Sequence, residues 1–238
     1  MMRVVPEPES ELERIAGLVP AWLRPSDVEN RLPVAIAVVI AIGFQLSVPA
    51  KYGLHPRYLI PSLEAALLVV LSGFRLPGVR VSDALQRSIG IALVAAITLD
   101  NAASAVTLDH AILTGTGSSS NPTHLLTTGA AIYGTNVIAF GIWYWQLDRG
   151  GPLARARAAK HYPDFLFPQM TAPHLAPPDW RPEFLDYLYV SLTNVVAFSP
   201  TDTMPLSRWA KTLMAVQSLV ALSTTALVVA RAVNILKT

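Results

Sequence analysis

From Leu32 to Val48 the chain reads LPVAIAVVIAIGFQLSV, without one ionised side chain. Pro33 suits the first turn of a helix there and Pro49 ends it. Four further apolar stretches follow, at residues 58–74, 84–108, 124–147 and 205–236, and a shorter one lies at 183–199. Only 14% of the 238 residues are charged and 52% are hydrophobic, against about 25% charged in soluble domains. Long apolar runs with so little charge place the chain among integral membrane proteins. The expected fold is all-α, a polytopic membrane helix bundle of about five full transmembrane helices plus one short half-helix or re-entrant segment.

The composition also excludes. There is no cysteine, so disulfides and Cys-ligated metals are absent. The five histidines have no metal-ligand spacing, and neither an HExxH nor a serine elbow is present. The chain is therefore read as not an enzyme, with no cofactor and no metal. A net charge of +2 gives no reason to expect nucleic acid. No N-terminal apolar region resembles a cleavable signal, so the first apolar helix is expected to be an uncleaved anchor.

Residues 1–31 are read as a cytoplasmic segment in which Ser10 and Glu13 form a capping box for a short amphipathic helix at 11–18. Residues 32–147 hold four transmembrane helices, with Asp83 as a cap of the third and a flexible loop at 109–123. Two ionisable groups fall inside spans: Glu64 in the second and Asp100 in the third. Such residues are functional hypotheses by default, set against interfacial exposure or a simple hydrogen bond to a neighbour. Trp143, Tyr144 and Trp145 read as an aromatic belt at the headgroup level. Residues 148–182 are Pro- and aromatic-rich and read as a cytoplasmic segment that packs back onto the bundle. Arg149, Arg155, Arg157 and Lys160 within it are candidate contacts to anionic lipid headgroups.

Charge sets the orientation. With the N-terminus in the cytoplasm, 14 of the 18 Lys and Arg fall inside. The four outside are Lys51, Arg57, Arg208 and Lys211 if segment 183–199 crosses, or Lys51, Arg57, Arg231 and Lys237 if it re-enters. The positive-inside rule thus fixes the N-terminus and first four spans but not the fifth segment. Length favours a half-helix there, since residues 187–198 reach about 18 Å at ~1.5 Å per residue against a core of about 30 Å. The expected location is the inner membrane, multi-pass.

Phe184–Leu192, the following Thr193-Asn-Val195, and Asp202-Thr-Met-Pro205 before the last helix resemble the pore module of the tetrameric cation-channel superfamily. The chain is also similar to bacterial uncharacterised multi-pass inner-membrane proteins whose C-terminal part is a degenerate pore module. The resemblance implies a pore helix, a turn and an inner helix over residues 183–238, with assembly as a homo-oligomer. The chain departs from the pattern at the filter, where Val196-Ala-Phe-Ser-Pro-Thr201 has no glycine. The departure puts potassium selectivity in doubt, because the family's filter needs carbonyls in a glycine-permitted conformation.

Two functions are carried forward. One is a channel-like or transport-like module passing or binding a cation, with Thr193, Asn194, Ser199, Asp202, Thr203, Ser223, Thr224, Asp100 and Glu64 as candidate polar sites. For Asp202 and Thr203 the plainer reading is capping of the last helix, with Pro205 in its first turn. The other is a non-transporting scaffold or assembly protein that docks partners through 148–182. A single hydrated cavity shared by Asp100, Asp202 and Thr224 favours transport; separate helix contacts favour the scaffold.

Overall fold

A computed structural model of the chain describes residues 19–74, 81–116, 121–197 and 202–236. The expected helix at 11–18 and the candidate Ser199 lie outside the described residues. Among the described residues, eight α-helices carry the fold: α1 Leu32–Ser47, α2 Leu59–Gly73, α3 Asp83–Thr114, α4 Pro122–Leu147, α5 Pro152–Ala156, α6 Pro168–Thr171, α7 Phe184–Ala197 and α8 Arg208–Leu236. Two short strands, β1 Phe165–Leu166 and β2 Met204–Pro205, complete it. Among the described residues, three helices are long and apolar enough to cross a membrane: α3, α4 with its continuation to Gly150, and α8. At 16, 15 and 14 residues, α1, α2 and α7 are shorter.

Local chemistry sets the boundaries. Ser82, not Asp83, caps α3 by accepting from the Leu85 N–H at 3.3 Å. The helix then runs six residues past the expected end at 108, through Ala111, Ile112 and Leu113, until Gly115 supplies the left-handed residue (φ 71°) that closes it. The Asn121 side chain caps α4 by accepting from Thr123 N–H at 2.9 Å and His124 N–H at 3.4 Å, with Pro122 as the first helical residue.

The central element is α4. Within its apolar window 72% of residues are buried, against 28% for α8, so α4 is the core post and α8 a peripheral helix. Helices α1, α3, α7 and α8 all pack on α4. Glycines allow the closest approaches: a Cβ at Gly134 would stand 2.6 Å from the Phe44 ring, and one at Gly141 would stand 3.1 Å from the Leu188 Cα. Helix α8 buries one stripe, Ala210, Met214, Gln217, Ala221, Thr224, Val228 and Ala232, each three or four residues from the next. Its other faces expose Val216, Leu219, Leu222, Val229 and Val233.

The half-helix α7 runs parallel to α8. At the α7 start the Phe184 N–H meets Glu29 beside Trp145. One turn further on, Tyr187 reaches Asp148, and then Ser191 Oγ donates to Val137 O at 2.7 Å. Trp209, at the start of α8, meets Asp164 at 2.8 Å, and Gln217 lies opposite Ser191. Both helices therefore start at the Leu147 end of α4 and descend against it. The residues just before α8 lie at this same end, where β2 pairs antiparallel with β1 (Phe165 with Pro205, Leu166 with Met204) and Leu206 N–H donates to Asp164 O at 2.8 Å. With 14 residues, α7 is about 21 Å long at ~1.5 Å per residue. The last helix starts at Arg208, not at 205, because Pro205 is held in the strand pair; Ser207, not Asp202 or Thr203, caps it by accepting from the Ala210 N–H at 3.4 Å.

Residues 148–182 fold over this end of the bundle. Phe165 and Phe167 are buried, and Phe165 stacks edge-on against Tyr187 at 6.2 Å and Trp209 at 5.8 Å. This cap also covers Tyr144 and Trp145, which are buried inside protein rather than forming an aromatic belt.

Candidate functional site

Four places in the bundle gather polar groups or open space. The first is the cap. Asp148 is fully buried: one carboxylate oxygen accepts from the Asp164 N–H at 2.9 Å, the other from the Tyr187 hydroxyl at 2.6 Å. Asp164 accepts in turn from the Arg149 N–H and from the Trp209 indole, both at 2.8 Å. Arg149 holds φ at 51°, a left-handed value uncommon for a side-chain-bearing residue. Its guanidinium donates to Lys160 O at 3.0 Å and Trp22 O at 2.5 Å and lies 5.2 Å from the Trp22 ring centroid. Two residues on, Gly151 has φ 95°, and a Cβ there would sit 2.7 Å from Gln146 O, so only glycine fits.

Arg155 crosses under this turn. It donates to the carbonyls of Trp145 at 2.6 Å and Asp148 at 3.0 Å and pairs with Glu29 at 3.5 Å. Carbonyls left open at the end of α4 are thus satisfied by a buried cation. Glu29 also accepts from the Trp145 indole and the Phe184 N–H, both at 2.6 Å. Burial raises the Glu29 carboxyl above its ordinary value, while Trp145, Arg155 and Phe184 pull against the shift. Arg149 and Arg155 therefore do not face lipid headgroups: both are buried, Arg149 held by the Lys160 and Trp22 carbonyls and Arg155 by the Trp145 and Asp148 carbonyls and Glu29. Arg157 and Lys160 are exposed, and Arg157 pairs with Asp83.

The second place is the seam between α7 and α8. Gln217 is fully buried; its carbonyl oxygen accepts from the Tyr144 hydroxyl at 2.6 Å and from Asn194 Nδ2 at 2.9 Å. Its amide nitrogen donates to Ser191 O at 3.1 Å and Ser191 Oγ at 2.6 Å. Asn194 Nδ2 also donates to Met214 O at 3.0 Å. Buried polar groups that satisfy one another this completely close a helix contact.

The third place lies between α1, α2 and α3. Glu64 is fully buried and accepts from Gln45 Nε2 at 3.0 Å. Its other oxygen, and the Gln45 Oε1, have no hydrogen-bond partner among the described residues. Asp100 is close enough for its charge to act on Glu64, and the Leu54 N–H approaches Asp100 from the α1–α2 connection. On α4, the buried Asn136 side chain has no hydrogen-bond partner among the described residues.

The fourth is a cavity of about 480 Å³ between the Leu147-end halves of α1 to α4 and residues 150–159 of the cap. Its walls are apolar, with Leu32, Leu68, Leu71, Leu93 and Ile142 among them, and its lining carries Arg31, Arg87 and Arg157.

The remaining candidates separate. Thr193 Oγ1 donates to its own helix, to Tyr189 O at 2.9 Å. Asp202 is exposed in the turn beside the buried Thr203. Ser223 Oγ donates to Val220 O at 3.1 Å, and Thr224 donates to Asp109 on α3 at 3.3 Å. Asp100, Asp202 and Thr224 thus occupy three different contacts. Among the described residues, no group of three or more His, Asp or Glu is placed to hold a metal ion. Glu29, Asp148, Asp164, Tyr187 and Trp209 are outside the sequence expectations altogether, since no spacing joins residues so far apart. Gln217 is detectable in retrospect as the one amide on the buried stripe of α8.

No family model, no curated protein and no solved structure matches the chain.

Proposed function

We propose that this chain is a multi-pass inner-membrane protein acting as a non-transporting scaffold, with its N-terminus and the 148–182 cap in the cytoplasm and α7 re-entering from that side. The observation that carries the scaffold reading is the α7–α8 seam, where Gln217 ties Tyr144, Ser191 and Asn194 together in the place a conduction path would need water. A pore-like module with that seam closed works as a wedge that anchors the cap.

Membrane residence is supported by three long apolar helices and by large apolar side chains exposed on the bundle's outer faces, Val69, Leu99, Val106, Leu113 and Leu219 among them. Orientation is supported by charge. With α7 re-entrant, Arg208 and Lys211 join the cap side, and Lys51, Arg57, Arg231 and Lys237 are the four basic residues on the other. The docking face is the exposed part of the cap, where Tyr162 and Leu175 are 90% and 79% exposed.

The test has two arms. Purified protein in vesicles is expected to carry no potassium, sodium or proton flux above protein-free vesicles; a flux that Gln217 substitution alters would overturn the reading. In native membranes, Tyr162→Ala with Leu175→Ala is expected to dissolve a higher-mass complex on native gels while the protein's own thermal midpoint stays unchanged. An unaltered complex, or none in the unmodified membranes, removes the docking claim.

One observation favours a second reading. The unpartnered Glu64 oxygen faces a buried setting with Gln45 and Asp100, a combination suited to holding a proton or a monovalent cation. Under this reading Glu64→Gln abolishes a proton-coupled signal in the same vesicles.

A further inference from the structure

A wide apolar opening lies away from the pore-like module, on the flank of α4 that faces α1, α2 and α3. Helix α2 packs on α1 and α3, and toward the Leu147 end of α4 the three separate. The gap is floored by Ile142, Trp145 and Gln146 of α4 and roofed by residues 150–159. A cavity of about 480 Å³ with walls of leucine and isoleucine is too large and too apolar for ordered water alone.

Its charged groups lie together in the half of the bundle next to the cap. Arg31 opens α1, Arg87 sits in the first turns of α3, and Arg157 follows α5. The single acid in the lining is Asp83, which is already paired with Arg157. The Arg87 guanidinium is exposed and makes no hydrogen bond or ion pair among the described residues. Leu32, Ile36 and Leu85, beside the cavity, are exposed at 60%, 52% and 49%, so its apolar interior continues onto an apolar outer surface.

An apolar slot that opens through apolar helix faces, with a surplus of arginine at the polar end, matches one kind of molecule: a chain-bearing amphiphile with an anionic head. We propose that this cavity binds one anionic phospholipid of the cytoplasmic leaflet, an acyl chain lying between α1, α2 and α3 and the phosphate at Arg87. The inference rests on the membrane orientation given above. It moves lipid recognition from Arg149 and Arg155, which are buried inside the cap, to the exposed Arg87. It also gives α2 a function, since the lipid completes packing that α2 alone leaves open.

The experiment is native mass spectrometry of the full chain, purified in detergent and offered phosphatidylglycerol and phosphatidylcholine in equal amount. One phosphatidylglycerol per chain is expected to survive gentle activation, with phosphatidylcholine bound more weakly. Arg87→Gln is expected to lower the preference about fivefold, the loss of one juxtamembrane charge, and Ala35→Phe, which fills the slot from α1, to remove both lipids. Equal retention of the two lipids, or an Arg87→Gln preference equal to wild type, overturns the headgroup assignment. Undiminished lipid in a monodisperse Ala35→Phe protein overturns the cavity assignment. Carbonate extraction of the cells separates the two levels: a chain that washes off the membrane contradicts the membrane reading itself, whereas a chain that stays but retains no phosphatidylglycerol contradicts only the lipid site.

Discussion

Asn194 on the half-helix donates its side-chain amide to Gln217 on the last helix at 2.9 Å, and both side chains are buried. That one contact fixes how far α7 descends beside α8 and what fills the space between them. The amide of Gln217 makes its own bonds to Ser191, and its oxygen also holds Tyr144 of α4. Three helices are thus locked at one residue.

Gln217→Leu should therefore be costly to stability and silent in conduction. It leaves the Tyr144 hydroxyl and the Asn194 amide short of an acceptor, at about 1–3 kcal/mol for each unsatisfied buried group. Thermal unfolding in detergent should show a clear drop in midpoint. Asn194→Leu combined with Gln217→Leu should cost less than the sum of the two single changes, because the partners share one network. Strict additivity would mean that the two residues act independently.

Tyr187→Phe tests the cap. The hydroxyl it removes is a bond at 2.6 Å to the buried carboxylate of Asp148. The expected loss is about 1–3 kcal/mol, and proteolysis within the Pro-rich segment at 168–179 should accelerate, because Asp148 and Asp164 hold that segment's entry to the bundle. Unchanged cleavage would place the cap's stability in its aromatic packing alone.

Glu29 gives a pH test. Burial raises its carboxyl above 4.5, so the folded chain holds that proton more tightly than the unfolded chain does. Its contribution to stability is full below the ordinary glutamate value and falls as pH climbs through the raised value. The thermal midpoint of the wild type should decline from pH 4.5 toward neutrality more steeply than that of Glu29→Gln. Parallel pH profiles would show that Glu29 is ionised in both states. The variant's lower absolute stability, from weakened bonds to Trp145 and Phe184, does not enter the comparison of slopes.

The apolar runs and the short length of α7 are readable in the sequence, because period and length act locally. What the cap does is not. Trp145 next to a cluster of arginines looks like a membrane boundary until residues 148–182 fold back and bury it. Arg149 and Arg155 look like headgroup ligands until the open carbonyls at the end of α4 and the carboxylate of Glu29 draw them inward. Ser82 against Asp83, and Ser207 against Asp202, show that helix ends are decided by which side chain meets the open N–H groups. The Glu29–Arg155 and Asp148–Tyr187 pairs join residues separated by 126 and 39 positions, and no local pattern encodes such distances.

The central claim is that α7 enters and leaves on the same side, so that the cap and the start of α8 share the cytoplasm. The native chain has no cysteine, so single-cysteine reporters are clean. Arg157→Cys, Arg208→Cys and a cysteine appended after Thr238 should be compared with a membrane-impermeant thiol reagent applied to intact cells and to inverted vesicles. The account predicts that Arg157→Cys and Arg208→Cys react only in inverted vesicles and the appended cysteine only in intact cells. Labelling of Arg208→Cys in intact cells would mean that α7 spans, and would contradict the account.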